Sequence, residues 1–251
     1  FGRRVFSRFN RLLFRLSLNG LGVMNYKTSK VSGERSFLRN YLLGKNGVLI
    51  DVGANGGQYS KEALEFNPAL RIYAIEPHPV TFKLLSENLH GENVVKINKG
   101  LSGQRGTLKL YDYKDRDGSA HASLFRDVIT EIHGAGTAVD HDVELVTLDE
   151  IVFENDINEV SLLKIDTEGN ELEVLRGGEN TLTTGKIKAI HFEFNEMNVS
   201  SRVFFRDFWK MLANYKLYRM LPNDLLEIKS YHPLECEIFA YQNIIAILEE
   251  K

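Results

Sequence analysis

The chain has 251 residues, 43% hydrophobic and 26% charged, enough for one large core and without the composition of a disordered segment. Its single cysteine, Cys236, excludes an internal disulfide, a structural zinc cluster and a Cys-x-x-Cys redox pair, and fits a reducing, cytoplasmic setting. The formal charge of −3 is uneven: residues 1–33 hold seven basic and no acidic residues, which leaves −10 on residues 34–251 and makes that body a poor general binder of nucleic acid.

In chain order, Phe1–Leu18 has helical periodicity, with Val5, Phe9, Leu12, Leu13 and Leu16 on one face and Arg4, Arg8, Arg11 and Arg15 on another; Phe14 breaks the pattern. Such a helix suits peripheral contact with an anionic membrane, a transit segment, or packing on the domain or on a second subunit in a homo-oligomer. No stretch approaches the roughly 20 apolar residues that span a bilayer. Asn19–Gly33 reads as a linker and Glu34–Leu43 as a short helix, so that residues 1–43 stand apart from a domain over residues 44–251.

Val48–Val52 reads as a strand buried on both faces, followed by a turn at Gly53, Gly56 and Gly57 and a helix over Tyr59–Phe66. Arg71–Ile75 is a second strand, Val80–Leu89 a helix and Val94–Asn98 a third strand. The strand and helix alternation then pauses. Thr107–Tyr113 and Val143–Val146 read as a β-hairpin insertion whose polar tip is Lys114–Ala122. Thr147–Glu154 carries a capping box, Thr147 with Glu150, and Ser161–Ile165 is a core strand. Glu168–Arg176 is a helix, Lys188–Phe194 a strand, and Arg202–Tyr215 an amphipathic helix with Phe205, Phe208, Trp209 and Leu212 toward the core. Lys216–Leu221, Leu225–Ser230 and Asn243–Leu248 close the chain as strands, the last two as antiparallel neighbours.

In an open α/β sheet the ligand sits at the carboxyl ends of the strands. Those ends here are Asp51-Val52-Gly53, Glu76-Pro77, Asn98, Asp166-x-Glu168-Gly169 and Glu193 to Glu196. Glu76, 25 residues after Asp51, is placed to accept hydrogen bonds from a ribose, as with NAD or S-adenosylmethionine. The turn reads G-A-N-G-G-Q, with Asn55 where a pyrophosphate-binding loop needs its second glycine. Asp51 before it suits a cofactor that carries an ammonium and a sulfonium but no phosphate.

The segments DVGANGGQYS, YAIEPHP and KIDTEGNELEVLRGG resemble, in order and spacing over about Gly47–Glu196, the FkbM-type S-adenosylmethionine-dependent methyltransferases. The resemblance implies an α/β, Rossmann-like class I methyltransferase fold, with helices on both faces of a seven-stranded, mostly parallel sheet whose last strand is antiparallel. It also implies O-methylation of hydroxyls on sugars, glycans or polyketides. Carried over by position, Gly53, Ala54, Asn55 and Gly56 wrap the methionine part of the cofactor, Glu76 holds the ribose, and Asn98, Gly100 and Leu101 border the adenine. Asp51, Tyr59 and Pro77 complete the cofactor-binding set.

An alkyl hydroxyl needs a base or a metal to accept its proton. The candidate bases are Asp166, Glu168 and Glu193; the family resemblance implies that Asp166 faces the amino-acid end of the cofactor or the reacting hydroxyl. Asp166 with Glu168 could ligate Mg²⁺, although two carboxylates two residues apart do not define a metal site. His191 reads as a core histidine, His78, His121 and His133 as loop residues, and Glu171 and Glu173 as solvated helix charges. The tip Asp115–Ser119, with His121 and Ser123, favours a small sugar or glycan hydroxyl as acceptor, with a polyketide hydroxyl as the alternative. Two readings from other classes are a nicotinamide-dependent oxidoreductase or epimerase and a cofactor-binding interaction module. A nucleic-acid substrate fits poorly, because Asp166-Thr-Glu-Gly replaces the Asp/Asn-Pro-Pro-aromatic motif and Cys236 follows Glu235, not proline.

Overall fold

The computed structural model describes residues 2–44, 46–113, 123–124 and 138–249. The expected polar tip over Lys114–Ala122, with Asp115–Ser119 and His121, and also His133, lie outside the described residues.

The strands are β1 (Val48–Val52), β2 (Arg71–Ile75), β3 (Val94–Ile97), β4 (Gly100–Leu101), β5 (Gly106–Tyr113), β6 (Ala138–Val146), β7 (Leu162–Ile165), β8 (Ala189–Phe194), β9 (Tyr215–Met220), β10 (Leu225–Glu227) and β11 (Gln242–Leu248). Eight of them form one sheet in the order β10-β9-β11-β8-β7-β1-β2-β3. Strands β1, β2, β3, β7 and β8 run parallel, and β11 is antiparallel to both of its neighbours. This is the class I methyltransferase architecture, with a short eighth strand at one edge beyond the seven expected.

That extra strand corrects one expectation. Leu225–Glu227 pairs with β9, not with the last strand, because Leu221 N–H bonds back to the Asp224 carbonyl and closes a tight hairpin. The chain then crosses a short helix, Pro233–Cys236, and β11 enters between β8 and β9. The three remaining strands make a separate small sheet, β4-β6-β5. It is tied to the end of β2 by a contact between two buried side chains, His78 Nε2 and Asp112 Oδ2, 3.4 Å apart.

The helices used below are α1 (Ser7–Gly20), α2 (Ser29–Ser32), α3 (Glu34–Leu42), α4 (Gln58–Phe66), α5 (Pro79–Asn88), α6 (Leu148–Glu154) and α7 (Glu171–Arg176). Alternation along β1 sorts the core: Ile50 and Val52 face α6 and α7 through Leu148, Ile151, Leu172 and Leu175. Leu49 faces the other side, where Phe37, Leu38 and Leu42 of α3 pack with Ala63 of α4 and Leu85 of α5. The capping box at α6 is present in both directions, Glu150 N–H to Thr147 Oγ1 and Thr147 N–H to Glu150 Oε2. Helix α7 begins three residues later than expected, because Glu168 (φ 51°) and Gly169 (φ 105°) are left-handed and cannot enter a helix.

Residues before β1 are also more integrated than a linker and appendage would be. Val23 bridges to Gln242, Met24 N–H donates to the Tyr241 carbonyl, and α3 supplies three core side chains. These contacts hold Val23, Met24 and α3 against the sheet. Helix α1 is mostly exposed, with Leu18 as its one buried residue. Leu38→Ala, at a fully buried position, should lower the unfolding free energy of the whole domain by about 2–4 kcal/mol. An unchanged denaturant midpoint would show that α3 is a detachable appendage.

Candidate active site

Strand β1 ends against its neighbours in a way that leaves no room for side chains. Gly53 has φ 75°, and a Cβ there would lie 1.8 Å from the Asp166 carbonyl oxygen, so only glycine lets the turn cross the end of β7. Every N–H of the turn has an acceptor within the protein. Gly53 and Ala54 both donate to the Ile75 carbonyl, Asn55 to Glu76 Oε2 at 2.9 Å, Gly56 to Asn55 Oδ1 at 2.6 Å, and Gly57 to the Ala54 carbonyl. The second oxygen of Glu76 accepts from His78 N–H at 2.8 Å. Glu76 is thus the clasp between the glycine turn and the residues after β2, and burial pushes its carboxyl up to about 7 against those two N–H groups.

Beside the turn lies a cavity of about 530 Å³, within the range of small-molecule sites. Its walls carry Glu34, Asp51, Glu62, Glu76, Asp166 and Glu168 against two cations, Lys99 and Lys164. The centre of this charge is Lys164, 2% exposed in the middle of β7. Register places it between Asp51 on β1 and His191 on β8, all on the face that α3 and α4 cover. Its ammonium is 3.4 Å from Asp166 Oδ2 and 4.0 Å from Glu193 Oε1, and it makes no hydrogen bond. Burial pulls its pKa down, yet Asp166, Glu193, Glu34 and Asp51 together outweigh that and hold it above the ordinary lysine value.

The surrounding acids respond to the same low dielectric. Burial raises Asp51 to about 6 despite a 2.6 Å bond from Ser60 Oγ, and it raises Glu34 and Glu193 as well. Burial, then Lys164, keeps His191 well below the ordinary histidine range, so it is neutral; it shares a 3.0 Å hydrogen bond with the Tyr59 hydroxyl. The core reading of His191 therefore fits its position.

Of the sequence-derived site residues, Asp51, Gly53, Ala54, Asn55, Gly56, Tyr59, Glu76, Pro77, Gly100, Leu101, Asp166 and Glu168 all line this cavity. Two do not. Asn98 folds back and donates to the Glu76 and Pro77 carbonyls at 2.8 and 3.1 Å, which braces the strand end. Glu193 turns toward Lys164 and accepts from Asn195 Nδ2 at 3.2 Å, behind the cavity wall. Glu171 needs correction too: it is 2% exposed, not solvated, and its Oε1 accepts from Thr167 N–H, Thr167 Oγ1 and Gly169 N–H, which shapes the loop that presents Asp166 and Glu168.

Sequence reasoning missed Lys164 and Glu34. A lysine within the apolar run Leu162-Leu163-Lys164-Ile165 was the available signal, since a charge in a strand buried on both faces needs a partner. Glu34 carried no signal, because only the docking of α3 brings it to the cavity.

A model of the Methyltransferase FkbM domain matches residues 51–220. The chain belongs to the FkbM methyltransferase family. Among curated relatives, methyltransferase sdnD of Sordaria araneosa is 31% identical over 159 residues, which are 54% of this chain and 61% of that protein. Hexuronic acid methyltransferase AglP of Haloferax volcanii is 28% identical over 196 residues, 76% of this chain and 73% of that protein. The 31-O-demethyl-FK506 methyltransferase FkbM of Streptomyces tacrolimicus is 28% identical over 184 residues, 63% of this chain and 70% of that protein. The plantazolicin methyltransferase BpumL, solved with S-adenosylhomocysteine, aligns at 10% identity with a TM-score of 0.45, covering 99% of this chain and 92% of that one.

The residues present fit S-adenosylmethionine, the cofactor of FkbM methyltransferases. Its ammonium and sulfonium suit a wall with six carboxylates, and Glu76 keeps lone pairs for ribose hydroxyls. A dinucleotide fits poorly: no N–H from Gly53 to Gly57 is left for a pyrophosphate, and the charge is of the wrong sign. Among the described residues no group of three or more His, Cys, Asp or Glu side chains is arranged to hold a metal ion.

Glu76→Ala should weaken binding of S-adenosylhomocysteine by about 1.5–3 kcal/mol, measured by calorimetry, and should also lower thermal stability because two backbone N–H groups lose their acceptor. Its raised carboxyl pKa has a second consequence. The folded state binds the proton more tightly than the unfolded chain, so this group's stabilisation is full below about 4.5 and is lost as pH rises through about 7. The variant should lack that component of the pH profile. Lys164→Met should cost about 3–5 kcal/mol, since it leaves buried carboxylates without their cation; an unaltered denaturation curve would contradict its central position.

Proposed function

We propose that this FkbM-family protein is an S-adenosylmethionine-dependent O-methyltransferase whose acceptor is a hydroxyl on a sugar or glycan. The observation that carries the reading is the carboxylate of Asp166, 37% exposed on the cavity wall while its Oδ2 stays 3.4 Å from Lys164. When bound, the cofactor supplies an electrophilic methyl group on a sulfonium. The chain's own task is to bind and align an alcohol and to receive its proton.

In this reading Asp166 Oδ1 or Oδ2 accepts the hydroxyl proton, and Lys164 fixes the carboxylate in position. Glu168, one residue beyond Thr167 and on the same wall, holds a neighbouring hydroxyl of the acceptor. Glu193, behind Lys164, is a positioning residue and not the base. Leu110, Leu124 and Leu145 of the small sheet and its neighbouring segment form an apolar wall that limits water at the reacting end.

The sugar preference draws support from the hexuronic acid methyltransferase of Haloferax volcanii, and O-methylation from the 2-O-methyltransferase NoeI of Sinorhizobium fredii, the latter 22% identical over 183 residues. A polyketide hydroxyl is the second reading, beside the Streptomyces tacrolimicus relative whose name gives 31-O-demethyl-FK506 as its acceptor. For the acceptor, the test is formation of S-adenosylhomocysteine with a panel of uronic acids, neutral sugars and macrolide alcohols. Turnover is expected on the carbohydrates, and turnover on macrolide alcohols alone would replace the sugar reading. Asp166→Asn should lower kcat by about 10²–10⁴-fold while S-adenosylhomocysteine still binds. Full activity in that variant would remove Asp166 as the base.

A further inference from the structure

We propose that α1 is an interfacial anchor that lies on an anionic lipid surface. The helix runs from Ser7 to Gly20, and its one buried side chain is Leu18. Leu12, Leu13 and Leu16 are 55%, 43% and 57% exposed. At about 100° per residue these three leucines centre on the side opposite Leu18, so the apolar stripe points away from the body that Leu18 touches. Among the described residues, none of these three leucines joins a hydrophobic cluster of the fold.

The charge on the same helix selects the partner. Arg8, Arg11 and Arg15 fall together along one flank, Arg3 and Arg4 precede them, and residues 1–33 hold no acid. All five arginines are exposed and, among the described residues, none forms an ion pair with the acidic body. A pairing of α1 with α1 of a second copy would set two purely basic helices together, which like-charge repulsion opposes, and the acidic body of a second copy would answer the arginines but not the leucines. A nucleic acid would neutralise the arginines but leave the leucines in water. An anionic bilayer surface satisfies both at once, with the leucines at the acyl boundary and the arginines among the headgroups. The helix is too short to cross, and among the described residues no helix is long and apolar enough to do so. The resulting attachment is reversible and sensitive to salt.

The test uses the full chain and sucrose-loaded vesicles of phosphatidylcholine alone or with about one third phosphatidylserine. Sedimentation with the anionic vesicles and little with the neutral ones is expected. Arg8→Gln/Arg11→Gln/Arg15→Gln should lower the partition coefficient on the order of 100-fold, from about fivefold per arginine near an anionic surface. Leu12→Gln/Leu13→Gln/Leu16→Gln should lower it by about tenfold or more, whereas a stripe that does not enter the interface would leave it unchanged. Because all six side chains are exposed, both variants should retain the parent's melting temperature and its affinity for S-adenosylhomocysteine, which separates loss of docking from loss of fold. Three results would overturn the proposal: no binding to either vesicle, equal binding to both, or a dimer in sedimentation equilibrium that the leucine variant dissociates while lipid binding is absent.

Discussion

One buried ammonium makes the carboxyl edge of this sheet possible. Asp51, Asp166, Glu193 and Glu34 converge from three strands and a helix, and without a counter-ion their desolvation in one place would be prohibitive. Lys164 sits among them with no hydrogen bond of its own, so its attraction is shared and not spent on one partner. Burial raises Glu34, Asp51 and Glu76 in the cavity wall as it raises Glu193 behind it, so the negative charge of the group is held partly by protonation and partly by the lysine. A cationic ligand completes the balance that a single lysine leaves short. This is the physical basis on which the site distinguishes a sulfonium cofactor from a phosphorylated one.

The glycine turn supports the same distinction from the backbone side. Loops that bind phosphate keep their N–H groups free and directed at the ligand. Here Ile75, Glu76, Asn55 and Ala54 consume all five, and the turn becomes a rigid shelf whose shape, not whose donors, receives the ligand. Glu76 is central to that rigidity. The residue that sequence logic assigns to a ribose is the one that clasps the turn to the end of β2, through two backbone N–H groups on its two carboxyl oxygens.

The parts of the architecture that follow from local pattern were legible in advance. Buried β-branched runs located the parallel strands, Thr147 and Glu150 located a helix start, and the acids after the strands located the cavity. What was not legible depended on contacts distant in sequence. The pairing of β10 with β9 follows from a hairpin closed by Asp224, which composition does not reveal. Glu171 reads as a helix surface charge until three donors from the preceding loop surround it. Asn98 carries the same residue type at the same strand end whether it meets a ligand or two carbonyls, and only coordinates decide.

The order in which the charged row is distributed along the chain has a consequence for biosynthesis. Glu34 and Asp51 leave the ribosome more than a hundred residues before the lysine that neutralises them, and the strand carrying that lysine lies between β1 and β8. A nascent chain that ends before residue 164 would have to bury those acids without compensation, and its central strand would have an open edge. Closing the amino-terminal half alone would therefore leave those acids protonated or in water, a cost that the middle strand removes when its lysine arrives.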